Sequence, residues 1–91
     1  MFSVKWSEQA RRQLGKLARR NPEIAQDIYE KAQWLANNAE KIGHERLVGR
    51  GEMSLHSGQY RIPYSLDWAN QVVIIQDIDK HDAAYRKLNR R

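Results

Sequence analysis

The spacing of the apolar residues changes along this 91-residue chain, and that change limits the folds it can adopt. Between residues 8 and 41, apolar side chains recur every three or four positions, which is the period of amphipathic helices. After Gly51 they alternate with polar side chains, which is the period of strands with one buried face. A run of helices followed by a run of strands is typical of an α+β fold.

Two helices are predicted before the change in spacing. Ser7 is placed to cap the first helix, whose apolar residues share one side while arginine and lysine residues occupy the other. Asn21-Pro22 ends this helix and begins the second, which runs to about Lys41. The two predicted helices form a helical hairpin.

Strands are predicted on both sides of the hairpin. Residues 2–6 form a short strand before it, and three antiparallel strands follow within residues 52–56, 60–66 and 72–75, with a turn at Ser57-Gly58 between the first two. The last of these is apolar at every position, so it is expected to be central and covered on both faces. Pro63 is expected at an edge or a bulge, because proline removes a donor from the ladder.

The complete prediction is one α+β domain over residues 1–91. Its order is an N-terminal strand, the helical hairpin, three antiparallel strands and a short C-terminal helix, for which residues 79–82 carry the start signal. The helices are expected to pack on one face of the sheet. Trp34 and Trp68 are interpreted as core or partly core residues.

The charge pattern indicates a polyanionic partner. The chain has a net charge of +5, which is typical of proteins that bind nucleic acid, the ribosome or an acidic protein. Residues 1–20 carry six cations and one acidic residue. Residues 21–45 carry two cations and five acidic residues, and residues 46–91 carry eight cations and five acidic residues. The middle of the chain is therefore not expected to form the nucleic-acid surface.

The absence of cysteine excludes disulfide bonds, thiolate metal sites and thiol catalysis. Small secreted domains usually need such cross-links, so the cytoplasm is the expected location. The sequence shows neither a signal peptide nor a membrane-spanning stretch, and no membrane partner is expected.

Strand alternation predicts a polar face on the side of the sheet away from the helices. If the apolar positions of residues 53–66 point at the hairpin, the opposite face collects Glu52, Ser54, His56, Arg61 and Ser65. The next strand then brings Lys80 and His81 to one end of this face. His81 and Tyr85 are four residues apart, so they would lie side by side on the predicted C-terminal helix.

These residue types suit metal-free cleavage of RNA by its own 2′-hydroxyl. Histidine can give or take a proton near neutral pH, an arginine fork can hold two phosphate oxygens, and tyrosine can stack on a base. Simpler readings stay open: Arg61 as a solvated charge, His81 as a surface histidine and Tyr85 as a packing residue. The arginines of the first helix are most simply its solvated face. No metal or other cofactor is predicted, since the acidic residues around His81 are typical of helix caps.

Four stretches resemble toxins of the RelE/ParE superfamily, which belong to type II toxin–antitoxin pairs. They are Arg46-Leu47-Val48-Gly49-Arg50-Gly51, Gly58-Gln59-Tyr60-Arg61-Ile62-Pro63-Tyr64, Val72-Val73-Ile74-Ile75 and Asp79-Lys80-His81-Asp82-Ala83-Ala84-Tyr85. They are similar to the family's L-x-G, Y-R-[ILV]-x-Y and [GD]-[HK]-[RH]-x-x-x-Y signatures, in the same order. The helical hairpin before them is also family-like.

The resemblance implies an antitoxin that wraps the toxin in a hetero-oligomer. For the RelE-like branch, which we favour, it implies cleavage of mRNA in the ribosomal A site and inhibition of translation. By position, Arg61 matches the phosphate-binding arginine, His81 a second functional arginine or histidine, and Tyr85 the C-terminal tyrosine. The remaining residues expected on the RNA-binding surface are Lys80, Arg50, Arg46, Ser54 and His56.

The chain also departs from the family pattern. RelE carries lysines on the strand before the Y-R motif, where this chain has Glu52 and Ser54. Glu52 or His81 would then have to act as the base, and Pro63 replaces the usual aliphatic residue. Two other functions stay open: a ParE-like inhibitor of DNA gyrase without nuclease activity, and an inactive toxin-like module that binds nucleic acid.

Overall fold

The computed structural model describes residues 2–41 and 53–80, which form two helices and five strands. In chain order they are β1 (Ser3–Trp6), α1 (Glu8–Arg20), α2 (Pro22–Asn38), β2 (Met53–Ser57), β3 (Tyr60–Asp67), β4 (Val72–Ile75) and β5 (Asp79–Lys80). The helices pack against the sheet, so the predicted α+β fold is confirmed. No helix within the described ranges is long and apolar enough to cross a membrane.

Ser7 fixes the start of α1, as its position predicts. Its hydroxyl oxygen accepts a hydrogen bond from the backbone N–H of Ala10 at 3.0 Å, which caps the helix. The same hydroxyl donates to the backbone carbonyl of Gln76 at 2.9 Å. One serine therefore both caps α1 and ties it to the residue that follows β4.

The described strands form a mixed sheet in the order β1-β4-β3-β2, and the short β5 pairs with the start of β3. β1 is parallel to β4, with Ser3 opposite Val72, whereas β3 is antiparallel to both β4 and β2. The parallel pair requires a long crossover connection, and the helical hairpin lies within it. β4 lies between β1 and β3, which confirms its predicted central position.

The turn between β2 and β3 consists of Gly58 and Gln59, one residue later than the predicted Ser57-Gly58, because Ser57 still pairs with Tyr60. Gly58 has a φ of 59°. A two-residue hairpin turn with positive φ at its first position favours glycine there, because a Cβ is strained in that conformation.

The core lies between the sheet and the helical hairpin. Its largest fully buried side chains are Ile28 and Leu35 of α2, Ile62 of β3, and Val73 and Ile75 of β4. Tyr64, Phe2, Ile78 and several alanines, most of them in or next to α2, complete the buried cluster. α2 therefore supplies most of the helical contribution to the core, and α1 remains more exposed.

Pro63 lies in an inner strand, so the expected edge position is wrong, whereas the expected bulge is present. Between the pairs Arg61–Asp79 and Tyr64–Ile75, two residues of β3 lie opposite three residues, 76–78, so Pro63 lies beside a bulge in the neighbouring segment. It faces Ser54 of β2, and the β2–β3 register runs through it without an extra residue. On its other side, the Pro63 carbonyl accepts a hydrogen bond from the N–H of Gln76 at 3.0 Å. With any residue other than proline, the N–H of residue 63 would donate a hydrogen bond to the Gln76 carbonyl. Here that carbonyl accepts a hydrogen bond from the Ser7 hydroxyl instead. Proline is tolerated because the missing donor has been replaced.

The predicted C-terminal helix does not begin at Lys80. Asp79 and Lys80 form β5 instead, opposite Arg61 and Tyr60 of β3. Asp79, one of the acidic residues that resemble a helix cap, belongs to this strand instead. Residues 81–91, where the rest of that helix is predicted, lie outside the described residues.

Two tryptophans lie further out than expected. Trp34 is 51% exposed and Trp68 is 57% exposed. Trp68 packs edge-on against Phe2 with ring centroids 5.2 Å apart, so only part of its ring contacts the core.

Candidate functional site

The face of the sheet turned away from the helices carries the polar residues of β2 and β3. Ser54 lies opposite Pro63, and His56 lies opposite Arg61. The alternate residues of the same strands, such as Leu55 and Ile62, contact the core. The structure thus brings three predicted site residues, Ser54, His56 and Arg61, onto one face, which we call the open face.

Arg61 occupies the middle of a row that crosses three strands. His56 of β2 flanks it on one side and Asp79 of β5 on the other. Nη2 of Arg61 lies 3.7 Å from Oδ2 of Asp79, and the two side chains are 23% and 38% exposed. The guanidinium is ion-paired but not sealed from solvent, so an anion can still reach it.

Asp79 is a weak partner for Arg61. Burial raises the pKa of Asp79, and a hydrogen bond and charge repulsion from Asp77 raise it further, while Arg61 acts in the opposite direction. The environment therefore disfavours the ionised carboxylate that the ion pair needs. An incoming phosphate would compete with a partner that its surroundings already weaken.

Two buried polar atoms on the open face have no hydrogen-bond partner among the described residues. They are the hydroxyl oxygen of Ser54 and Nε of Arg61. A buried donor without a partner costs about 1–3 kcal/mol, and a bound ligand is one of the ways such a cost is relieved. The planar guanidinium suits two oxygens of one phosphate.

Helix α1 fixes the segment that leads into β5. The side-chain amide of Gln9 donates to Asp77 at 3.1 Å, and the Gln13 side-chain carbonyl accepts the backbone N–H of Ile78 at 3.0 Å. These contacts set the position of Asp79 and hence of its ion pair with Arg61. The sequence predicts no role for the two glutamines, because no local pattern distinguishes them from surface polar residues, and it places Asp79 in a helix-start signal rather than beside Arg61.

The other predicted site residues fall into two groups. Lys80 is exposed and lies opposite Tyr60, so it shares the parity of the helix side rather than that of Arg61. Outside the described residues lie Glu52, Arg46, Arg50, His81 and Tyr85. The predicted convergence of Arg61, His81 and Tyr85 therefore stays a prediction. Within residues 2–41 and 53–80, no cluster of three or more His, Asp or Glu side chains could hold a metal ion.

Comparison with known proteins identifies the family. A family model described as the ParE toxin of the type II toxin–antitoxin system, parDE, matches residues 4–85. The chain belongs to the ParE toxin family. The resemblance to RelE/ParE toxins that its short motifs indicate is thereby confirmed.

Solved structures give the same result for the fold of this toxin. A chain of the toxin–antitoxin complex RelBE2 from Mycobacterium tuberculosis is 28% identical, with a TM-score of 0.72, covering 87% of this chain and 96% of that chain. The ParDE system of P. aeruginosa gives 20% identity, a TM-score of 0.70, and coverage of 88% and 96%. A YoeB dimer from Staphylococcus aureus gives 19% identity and a TM-score of 0.70, covering 88% of this chain and 97% of that chain. The latter two likenesses show the fold alone. No curated protein matches significantly.

Proposed function

We propose that this toxin is a metal-independent endoribonuclease that cuts mRNA on the ribosome and so inhibits translation in the cytoplasm. The observation that carries the proposal is Arg61 on the open face, flanked by His56 and paired with a weakened carboxylate. Family membership supports the role of a toxin. The nuclease activity is the further step.

The proposed reaction uses the 2′-hydroxyl of the RNA itself. A base removes its proton, the 2′-oxygen attacks the adjacent phosphorus, and the bond to the 5′-oxygen breaks as an acid protonates that oxygen. Arg61 would bind the phosphate oxygens and stabilise the added negative charge in the transition state. His81 would act as the acid or base, with Glu52 as the other candidate base.

The remaining residues would bind and orient the RNA. Tyr85 would hold the nucleotide, and Ser54 and His56 would contact the strand next to Arg61 on the open face. Lys80, Arg50 and Arg46 would attract the RNA through their charge. No cofactor takes part in this proposal.

The partner that the family implies is a cognate antitoxin, since this is a toxin of a type II toxin–antitoxin system. We propose that the two form a hetero-oligomer in which the antitoxin prevents RNA from reaching the open face. The ribosome and its mRNA would be the targets of the free toxin.

A second candidate function is inhibition of DNA gyrase without nuclease activity. The family model is described by the parDE system, and the ParDE system of P. aeruginosa has the same fold. In that case, the ion pair between Arg61 and Asp79 would only hold β5 against β3.

One experiment tests both functions. The toxin is expressed from a tightly controlled promoter beside Arg61→Ala and Arg61→Lys, and mRNA 5′ ends are mapped by primer extension. We expect codon-positioned cuts that Arg61→Ala reduces by on the order of 100-fold, with Arg61→Lys intermediate because it keeps the charge but not the planar fork. Growth arrest with intact mRNA and inhibited supercoiling would contradict the nuclease and support the gyrase inhibitor. No arrest would contradict both and leave an inactive nucleic-acid-binding module.

A further inference from the structure

The helical hairpin carries its charge unevenly. Within Glu8–Arg20, α1 has five cations and one acidic residue, whereas α2 has one cation and three acidic residues within Pro22–Asn38. The positive charge therefore lies along one helix. The reaction proposed for the open face does not use it.

Two shallow depressions adjoin along one side of α1. The first, of about 330 Å³, is lined by Gln9, Arg12, Gln13 and Lys16. The second, of about 160 Å³, shares Gln13 and Lys16 and is also lined by Arg20 and Tyr60. Because both contact Gln13 and Lys16, they lie side by side along the helix, and we call the two together the α1 furrow.

The cations of the α1 furrow are regularly spaced. Arg12, Lys16 and Arg20 follow one another at four-residue intervals, which places them about 6 Å apart along the helix axis. They form a regularly spaced row on one side of the helix, which matches the regularly spaced phosphates along a nucleic-acid strand. Among the described residues, no carboxylate lines either depression.

These cations are available to a ligand. Arg12 is paired with Glu8 at 3.8 Å, but both side chains are largely exposed, at 73% and 84%, so the pair contributes little and exchanges easily. Lys16 and Arg20 form no ion pair with an acidic residue in the described part of the chain. Tyr60 adds an aromatic ring on which an unpaired base can stack.

The α1 furrow lies next to the open face, around the edge formed by β5. Tyr60 at one end of the furrow is opposite Lys80, and its neighbour Arg61 is opposite Asp79. Gln9 and Gln13 tie α1 to the segment before β5. A strand that lies on Arg61 can therefore pass Lys80 and continue along α1.

We propose that the α1 furrow binds the sugar–phosphate backbone of single-stranded RNA, without reading its bases, as a second surface beyond Arg61. Since the RNA is taken to be the substrate strand, the inference rests on the proposed function. Single-stranded RNA suits the furrow because cations in a row hold the backbone while Tyr60 needs an unpaired base. An acidic protein segment is the other polyanion that the charge would attract, and the test below treats it as a competing outcome.

The test compares two double variants of the full-length toxin with the same loss of charge on the same helix. Lys16→Gln/Arg20→Gln removes two furrow cations, and Arg11→Gln/Arg19→Gln removes two exposed cations that line neither depression. The probe is a short fluorescent 2′-O-methyl RNA, which the 2′-oxygen cannot cut. Binding is measured by anisotropy over a range of salt concentrations, and thermal melting checks that both variants fold.

We expect the furrow variant to bind on the order of tenfold more weakly, and its salt slope to fall by about 1.4, at ~0.7 for each lost phosphate contact. The matched variant should bind like the wild type. Equal losses in both variants would show an effect of net charge alone and overturn the inference, as would unchanged binding in both. A furrow variant that binds RNA normally but loses affinity for the antitoxin would also overturn it, in favour of a protein interface.

The outcome is separable from that of the nuclease proposal. If the wild-type toxin cuts no mRNA but the furrow variant alone loses RNA binding, RNA binding by the α1 furrow is supported and the nuclease proposal is contradicted. If the wild type cuts mRNA and the two double variants bind alike, only the furrow falls.

Discussion

Asp27 is a half-exposed carboxylate that is tied to a buried partner. Ser57, which is 2% exposed, donates its hydroxyl to Asp27, and Nζ of Lys31 lies 3.4 Å from the same carboxylate. The bond from Ser57 is the main reason why the pKa of Asp27 is lowered, although burial acts in the opposite direction. The contact joins α2 to the end of β2, so it links helix and sheet outside the apolar core.

Asp27→Asn should therefore destabilise the toxin in a pH-dependent way. A carboxylate whose pKa is lowered by folding stabilises the native state above its unfolded pKa, near ~4, and loses that contribution as the pH falls through its folded value. The difference in unfolding free energy between wild type and variant should be largest at neutral pH and shrink in acid. Urea unfolding at about pH 7 and about pH 3 measures it. Glu30→Gln, on the same helix, is the control and should change little, while an Asp27→Asn effect of equal size at both pH values would contradict this account.

Residues with a local signature were predictable, and residues with a distant partner were not. Arg61 was found from strand alternation and the Y-R motif, and both depend only on its neighbours in sequence. The local pattern at Asp79 indicates a helix cap, whereas its actual role depends on pairing with Arg61 of β3, eighteen positions earlier. Ser57 is predicted only as a turn residue, and nothing in the sequence indicates its contact with Asp27 of α2.

At the scale of an element, the two described glycines have opposite roles. Gly15 lies inside α1, and a Cβ added there would meet nothing within 4 Å. Gly58 in the β2–β3 turn has φ +59°, where a Cβ is strained even though the surrounding space is open.

The same substitution should thus change stability in opposite directions at these two sites. Gly15→Ala should raise the unfolding free energy by about 0.5–1 kcal/mol, because alanine has less freedom to lose on folding. Gly58→Ala should lower it by about 1–2 kcal/mol. Urea midpoints of the two variants against wild type provide the measurement, and a shift in the same direction for both would contradict the argument.

The helices and the inner strands were predictable because their period is local, and Pro63 correctly indicated a bulge, but neither β5 nor the group that replaces the Pro63 N–H was predictable. The rule that proline avoids inner strands assumes that the ladder needs its N–H. Here the Ser7 hydroxyl, which also caps α1, satisfies the Gln76 carbonyl instead. That replacement depends on the tertiary structure, and no pattern within β3 reveals it.

At the scale of the whole molecule, the sequence predicts which faces are buried but not how β1 joins the sheet. β1 is parallel to β4, with Val4 opposite Val73, although the chain between them includes both helices and two strands. The alternation of polar and apolar residues shows which side chains of β1 face inward. This alternation is the same for a parallel and an antiparallel strand, so it does not predict the direction of β1. The parallel pairing follows only from the position of the hairpin over the sheet.

The size of the molecule also determines how strongly its antitoxin should stabilise it. A 91-residue chain buries only about two thirds of the surface that its unfolded form exposes, so its stability margin is small. A partner that binds only the native state, present at about 100 times its dissociation constant, adds about 2.7 kcal/mol. For a chain of this length, that corresponds to an increase in melting temperature on the order of 10–20 °C.

Thermal melting of the toxin with increasing amounts of its cognate antitoxin measures the shift, with a non-cognate antitoxin at the same concentrations as the control. The rise should continue with the logarithm of the antitoxin concentration after the toxin is saturated, because mass action keeps favouring the folded form. A melting temperature that stays constant on adding a partner shown to bind would mean that the antitoxin also binds the unfolded chain, and would contradict stabilisation of the native toxin.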